Sequence, residues 1–288
     1  MGIAIVTGGA SGIGKALVAE LVRRGDTVVV ADIAASAAEM TAKELTDRGS
    51  GVAVAAVMDV SDGDAVEHLV AQVEHEHGPL DLMVNNAGIG VGGPVEELSL
   101  QHWDRVIDVN LRGVIHGVQA AYPRMVRRGA GQILNTASLA GLGASPGNVP
   151  YSTTKYGVVG LSLGLRAEAR RYGVRVSVLC PGIIDTPIYE HPNPGLPPIS
   201  GQELARERFM RLAEVMQGGK FYPAESLARD ALGGLDRDTA VIVAPRRAMV
   251  GWLASRYLPA KWSERMMFST LKRAGLLDDD RVSATTAH

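Results

Sequence analysis

Tyr151 and Lys155 stand four residues apart in P-Y-S-T-T-K-Y-G, and Ser138 lies thirteen residues before the tyrosine. Residues at i and i+4 share one helix face, so a phenol and an ammonium can act on the same small volume. A free phenol titrates near pH ~10 and is a poor acid–base group at neutrality. A cation fixed beside it favours phenolate, so Lys155 is expected to lower the Tyr151 pKa. Tyr-x-x-x-Lys is common by chance. Its weight here comes from the elements before it, a glycine-rich turn after the first apolar run and an acid after the second. A proton-handling tyrosine behind such a nucleotide cradle implies hydride transfer.

The elements that must position these groups are legible as an alternation. Short β-branched runs occur at Ile3–Val6, Thr27–Ala31, Val52–Val57, Leu82–Val84, Gln132–Thr136, Val174–Leu179 and Ala240–Val243. Amphipathic stretches of helical length separate them: Gly14–Arg24, Ser36–Arg48, Asp62–His77, Gln101–Arg128 and Tyr151–Tyr172. Strands apolar on both faces, joined by helices, predict crossover connections and a buried parallel sheet. The fold expected is α/β, a Rossmann-type doubly wound sheet of about seven strands with its ligand at the carboxyl ends. One catalytic domain is expected over residues 1–244. Within it, 187–222 reads as a substrate lid, because five prolines crowd Pro187–Pro198 and a helical stretch, Gln202–Met216, follows.

Composition agrees with that reading. The 288 residues carry a formal net charge of −2, which gives no global attraction for nucleic acid. One cysteine, Cys180, permits no intrachain disulfide. No signal-peptide pattern and no run of 18 apolar residues is present, so a cytoplasmic enzyme is expected. No Cys/His/Asp cluster has metal-ligand spacing, and no metal is expected. Cys180, at a strand end, reads as a small buried residue. Ser138 lacks the G-x-S-x-G surroundings of a hydrolase nucleophile.

The segment Thr7-Gly8-Gly9-Ala10-Ser11-Gly12-Ile13-Gly14 joins the first strand to the first helix. Glycines there allow a tight turn and let backbone N–H groups approach a pyrophosphate. Asp32 ends the second strand eighteen residues after Gly14, where an acid would meet the adenosine ribose hydroxyls. It would repel a 2′-phosphate, and its neighbour Ile33 supplies no base, so NAD is expected over NADP.

With T-G-G-A-S-G-I-G at 7–14, D-V at 59–60, N-N-A-G at 85–88, Asn110 in V-N-L-R-G, Ser138, Y-S-T-T-K at 151–155 and P-G-I-I-D-T at 181–186, the chain resembles the short-chain dehydrogenase/reductase family. The resemblance implies that Asp59 binds the adenine amino group and Val60 lies against its ring. Asn86, Ala87 and Gly88 would pass beneath the adenosine. Pro181, Gly182, Ile184 and Thr186 would form the nicotinamide end, with Ile184 and Thr186 holding the carboxamide. Tyr151 would exchange the alcohol proton, Lys155 would bond the nicotinamide ribose, and Ser138 would hold the substrate oxygen. Asn110 would hold a water that carries the proton onward from Lys155. The resemblance also implies a homodimer or homotetramer, a dimer packing through the helices at 101–128 and 151–172. An NAD(H)-binding sensor or scaffold without turnover is the alternative, and the complete set of four residues argues against it.

Pocket walls are expected from Ile89–Pro94, Leu139–Val149, Ile188–Ile199 and the lid residues Leu204, Phe209, Met210 and Leu212. They are largely apolar or small and offer no basic anchor, so a lipophilic secondary alcohol or ketone is expected. After Pro245 the chain departs from the family. Residues 245–274 hold seven Lys/Arg against one acid, with Trp252, Trp262, Met266, Met267, Phe268 and Leu271. Such a basic amphipathic extension can pack on the protein, form a subunit seam or lie on a membrane surface. Packing on the protein is the favoured expectation. Asp278–His288 is polar and expected to be disordered.

Overall fold

The computed structural model describes residues 2–218, 221–257 and 259–276. Among them the strands are β1 (Ile3–Thr7), β2 (Thr27–Asp32), β3 (Val52–Val57), β4 (Leu82–Asn85), β5 (Gly131–Thr136), β6 (Val174–Pro181) and β7 (Val241–Ala244). The helices are α1 (Gly12–Arg23), α2 (Ala35–Arg48), α3 (Gly63–His77), α4 (Leu100–Ile107), α5 (Gly113–Arg128), α6 (Val149–Ala169), α7 (Ala205–Gln217), α8 (Ala224–Asp236), α9 (Arg246–Tyr257) and α10 (Ala260–Arg273).

The strands form one parallel sheet in the order β3-β2-β1-β4-β5-β6-β7. Successive strand residues face opposite sides, and both sides are apolar. Val6, Val28, Val30, Val84, Leu134 and Leu179 pack with α1, α2 and α8. Ile5, Val29, Met83, Ile133 and Val176 pack with α3 and α5 on the other side. This is the doubly wound Rossmann-type fold, and chain order reverses between β1 and β4, which opens a crevice at their carboxyl ends.

Two helices differ from expectation. The stretch 101–128 is not one helix: α4 gives way to a π turn at Asp108–Arg112 before α5 begins. The helix α8 was not anticipated, and it covers one sheet face with Leu227, Ala228, Ala231, Leu232 and Leu235.

The extension past Pro245 is helical. Its α10 packs on α7, turning half-buried Met267 and Leu271 and buried Ala274 inward. The side chains of Trp252 and Arg256, and the segment expected to be disordered, 278–288, lie outside the described residues.

Candidate active site

The nucleotide end is built by backbone geometry. Gly8 and Gly12 adopt φ of 62° and 49°, the left-handed region that glycine enters without strain. A Cβ at Gly14 would overlap the Gly8 carbonyl oxygen, so only glycine lets α1 start this close to the turn. Ser11, Gly12 and Ile13 open α1, and the Ser11 side chain does not cap its first N–H groups. Those donors and the helix dipole face the crevice, an arrangement suited to a pyrophosphate.

Side chains lock this turn to its neighbours. The Thr7 hydroxyl accepts from the N–H of Asn86 at 2.9 Å and of Ala87 at 3.0 Å. Asn86 Nδ2 donates back to the Thr7 carbonyl at 3.0 Å. At the end of β2, Asp32 accepts from Ala10 N–H and Ala34 N–H, both at 3.1 Å, which holds its carboxylate beside the turn. Ile33 next to it is 61% exposed. Asp59 accepts from the Ser61 N–H at 2.9 Å and hydroxyl at 2.7 Å. Burial pushes the Asp59 carboxyl up, but the Ser61 hydrogen bonds and the Arg105 charge outweigh it and hold it below the usual range. Val60 is buried against Gly113, where a Cβ would stand 2.8 Å from its methyl.

The reacting end collects residues from four elements. Tyr151 and Lys155 lie on α6, Ser138 follows β5, Cys180 lies on β6, and Asn110 sits in the π turn. Gly141 makes the approach possible, since a Cβ there would stand 2.6 Å from the Lys155 backbone. Ser152 reinforces it by donating its hydroxyl to the Ala140 carbonyl. The Ser138 side chain stands beside the Tyr151 phenol and pulls its pKa down. Lys155 Nζ donates to the Thr136 carbonyl at 2.9 Å and lies 5.5 Å from the Tyr151 ring centre. Asn110 clasps the loop after β4 through Ile89, accepting from its N–H at 2.8 Å and donating to its carbonyl at 2.9 Å. A Cβ at Gly88 would lie 3.3 Å from Asn110 Oδ1 and 3.5 Å from Lys155 Nζ, so loop, amide and ammonium converge.

One electrostatic expectation is reversed. Lys155 does not lower the Tyr151 pKa: burial pushes the phenol up to about 12, against the pull of Ser138. Burial likewise pushes Lys155 down to about 8. The ammonium is directed at the Thr136 carbonyl rather than at the phenol oxygen, and desolvation outweighs the rest. Cys180 is buried, and burial raises its thiol to about 12, which suits a packing residue rather than a nucleophile.

The segment 187–222 arches past this site. Tyr189 packs its ring on Phe209 of α7 at 4.5 Å and on Phe221 at 5.4 Å. Burial and the neighbouring Tyr151 raise the Tyr189 phenol, opposed by a hydrogen bond from the Ile184 N–H. Leu212 joins this cluster. Leu204 and Met210, also expected as pocket walls, are exposed. Gly182 and Ile184 are tied down by neighbours: Gln217 accepts from Ile183 N–H at 2.7 Å and donates to its carbonyl at 3.0 Å, and Ile184 pairs with Tyr222. Thr186 stands against Gly12, whose Cβ would lie 3.1 Å from its methyl, so the nicotinamide-end and pyrophosphate-end motifs meet.

Sequence reasoning missed Tyr189, His102, Asn193 and Gln217. Buried His102 takes Ser99 into a capping box and reaches the Pro197 carbonyl at 3.0 Å, fastening the proline-rich loop to α4. Asn193 bridges to both backbone groups of Gly92 at 3.1 Å. Only the histidine had a local signal, the Ser-x-x-His spacing at a helix start. Among the described residues no group of three or more His, Cys, Asp or Glu is placed to hold a metal.

A parallel sheet with this crevice and this cluster of hydroxyl, phenol, ammonium and amide defines an oxidoreductase of dinucleotide-binding type. The chain belongs to the short-chain dehydrogenase family, whose model matches residues 2–196. It is 39% identical over 188 residues to the BbsD subunit of (2S)-[(R)-hydroxy(phenyl)methyl]succinyl-CoA dehydrogenase from Thauera aromatica, covering 65% of this chain and 75% of that one. It is 41% identical over 184 residues, 64% of its length, to the oxidoreductase EphD of Mycobacterium tuberculosis, of which it spans only 31%. A short-chain dehydrogenase/reductase from Burkholderia phymatum, solved in complex with NAD, superposes with a TM-score of 0.78 at 29% identity. That match covers 87% of this chain and 91% of the other.

Proposed function

We propose that the protein transfers a hydride between NAD(H) and a lipophilic secondary alcohol or ketone, with Tyr151 as general acid and base. The observation that carries this reading is the meeting of Tyr151, Ser138 and Lys155 beside Gly88, at the open carboxyl end of the sheet. Nicotinamide, when bound, supplies the hydride chemistry at C4. The turn at Gly8–Gly14 would hold the pyrophosphate, Asp32 the adenosine ribose, Asp59 and Val60 the adenine, and Asn86–Gly88 the adenosine side. Pro181, Gly182, Ile184 and Thr186 would hold the nicotinamide end.

Ser138 Oγ fixes the substrate oxygen where the Tyr151 hydroxyl also reaches it. In oxidation Tyr151 takes the alcohol proton, and in reduction it returns that proton to the carbonyl oxygen. Lys155 bonds the nicotinamide ribose and adds positive charge beside the phenol. Asn110 holds the Ile89 loop and lies on the route by which the proton leaves. Asp32 beside exposed Ile33 favours NAD, since a 2′-phosphate would meet a carboxylate and no base.

For the substrate, segment 187–222 acts as a lid whose aromatic trio, Tyr189, Phe209 and Phe221, presents an apolar wall close to Tyr151. The Thauera relative is named for (2S)-[(R)-hydroxy(phenyl)methyl]succinyl-CoA, which carries a hydroxyl beside a phenyl ring and also a CoA thioester. A dimer through α5 and α6 fits exposed Tyr156 and Leu163 on α6. The test is a panel of lipophilic secondary alcohols with NAD, followed by NADH absorbance. Tyr151→Phe should lose turnover by 10²-fold or more, on the order of what general acid–base catalysis contributes, while NADH binding persists. Undiminished turnover in that variant would remove Tyr151 from the chemistry.

A further inference from the structure

The outer surface of the C-terminal extension is cationic and aromatic at once. Met267, Leu271 and Ala274 turn toward α7, and among the described side chains of α10 Lys261, Trp262, Arg265, Met266, Phe268, Lys272 and Arg273 are exposed. Trp262 is 59% exposed, Phe268 55% and Met266 45%, and Tyr257 at the end of α9 is 77% exposed. Packing on the protein therefore covers only the inner edge of this helix. At about 100° per residue, Lys261, Arg265, Phe268 and Lys272 fall in one strip about 60° wide, and Trp262, Met266 and Arg273 in an adjoining strip about 40° wide. Glu264 is the one acid among residues 245–274.

We propose that this face docks on the surface of a lipid bilayer rich in anionic headgroups. The charge is the first reason: Lys261, Arg265, Lys272 and Arg273 stand together on a protein whose overall charge is −2, so the attraction is local and directional. The flanking side chains are the second. Trp, Phe and Met at the border of a basic strip can enter the headgroup and acyl boundary while the cations stay at the phosphates. A second copy of this chain fits less well. A two-fold interface sets each patch against itself, bringing four cations of α10 against four, with Glu264 the one acid that the helix itself supplies. Docking also lays α10 and its neighbour α7 near the phase into which lipophilic alcohols partition. That consequence rests on the substrate reading above; the docking itself does not.

The experiment is cosedimentation of the full chain with vesicles of equimolar phosphatidylserine and phosphatidylcholine, with pure phosphatidylcholine as control. Binding is expected to the anionic vesicles only, and to weaken as salt rises. Each cation removed should lower partitioning about fivefold, so Lys261→Gln with Arg265→Gln should lower it about 25-fold. Trp262→Ser with Phe268→Ser should also weaken binding while NADH binding and helix content stay unchanged. Tyr151→Phe should bind vesicles as the unaltered protein does, which separates this surface from the catalytic reading. Failure to bind anionic vesicles, or full binding by the charge variant, overturns the proposal. So does preferential binding of a duplex oligonucleotide that strips the protein from vesicles, or a dimer that the Trp262/Phe268 variant dissolves.

Discussion

Replacing Lys155 by Met tests the desolvation on which the site's electrostatics rest. Burial lowers this lysine from 10.5 to about 8, a displacement worth about 3 kcal/mol. The folded protein therefore sheds the proton before the unfolded chain does. Below about pH 8 both states are protonated and the fold carries the full penalty. Between about pH 8 and 10.5 the unfolded chain holds more protons, so stability rises with pH across that window. Integrating from about pH 7 to about pH 9.5 gives about 2 kcal/mol gained by the unaltered protein. Tyr151, displaced upward to about 12, acts the other way but begins to matter only above about pH 10, so it removes a small part of this gain.

Lys155→Met abolishes the lysine contribution and leaves the rest. At neutral pH it relieves the buried charge but leaves the Thr136 carbonyl without its donor, which costs about 1–3 kcal/mol. The two effects nearly offset, so a single stability difference at neutral pH says little. The difference between the proteins as a function of pH is the clean quantity. Urea unfolding of both cofactor-free proteins, followed by circular dichroism at the two pH values, should show that difference move by about 2 kcal/mol in favour of the unaltered protein at the higher pH. A difference constant to within about 0.5 kcal/mol would mean that Lys155 is solvated in the fold, and the reasoning would fail.

Two further outcomes follow from the same geometry. Asp32→Ala combined with Ile33→Arg should turn the preference from NAD toward NADP, because a repulsive carboxylate is lost and a phosphate partner gained; comparable kcat/KM of the unaltered protein for both cofactors would show that Asp32 does not face the ribose. Because burial raises Tyr151, its phenol is neutral at ordinary pH, so alcohol oxidation should quicken as pH rises while ketone reduction should hold or fall; parallel pH profiles of kcat/KM in the two directions would contradict that.

Much of the fold was legible because a buried parallel sheet leaves a plain trace, apolar runs spaced by helices. The strand at 3–7, for instance, is apolar on both faces and ends at the threonine that begins the glycine turn. The break in the helix at 108–112 left no trace, since Asp-Val-Asn-Leu-Arg contains neither Gly nor Pro. The π turn is paid for by tertiary partners, among them the Asn110 clasp on Ile89. The helix at 224–236 did leave one: Leu227, Ala228, Ala231, Leu232 and Leu235 repeat with helical period. Tyr189 and Gln217 were not legible, because their roles come from contacts across the chain. Gln217 meets Ile183 thirty-four residues away in sequence. Nothing near 217 marks a glutamine whose amide imitates a strand partner.

The reversed pKa of Tyr151 bears on what the spacing of a tyrosine and a lysine can say. Four residues on a helix guarantee a shared face, but Coulomb attraction depends on where the charged atoms point and how dry they are. Here Lys155 Nζ is drawn to the Thr136 carbonyl, and the phenol stands beside Ser138, so the two polar ends have separate partners. Desolvation then moves both toward their neutral forms, the phenol up and the ammonium down. With the lysine near 8 and the phenol near 12, the pair holds one positive charge at neutral pH, on the lysine, while the phenol stays neutral.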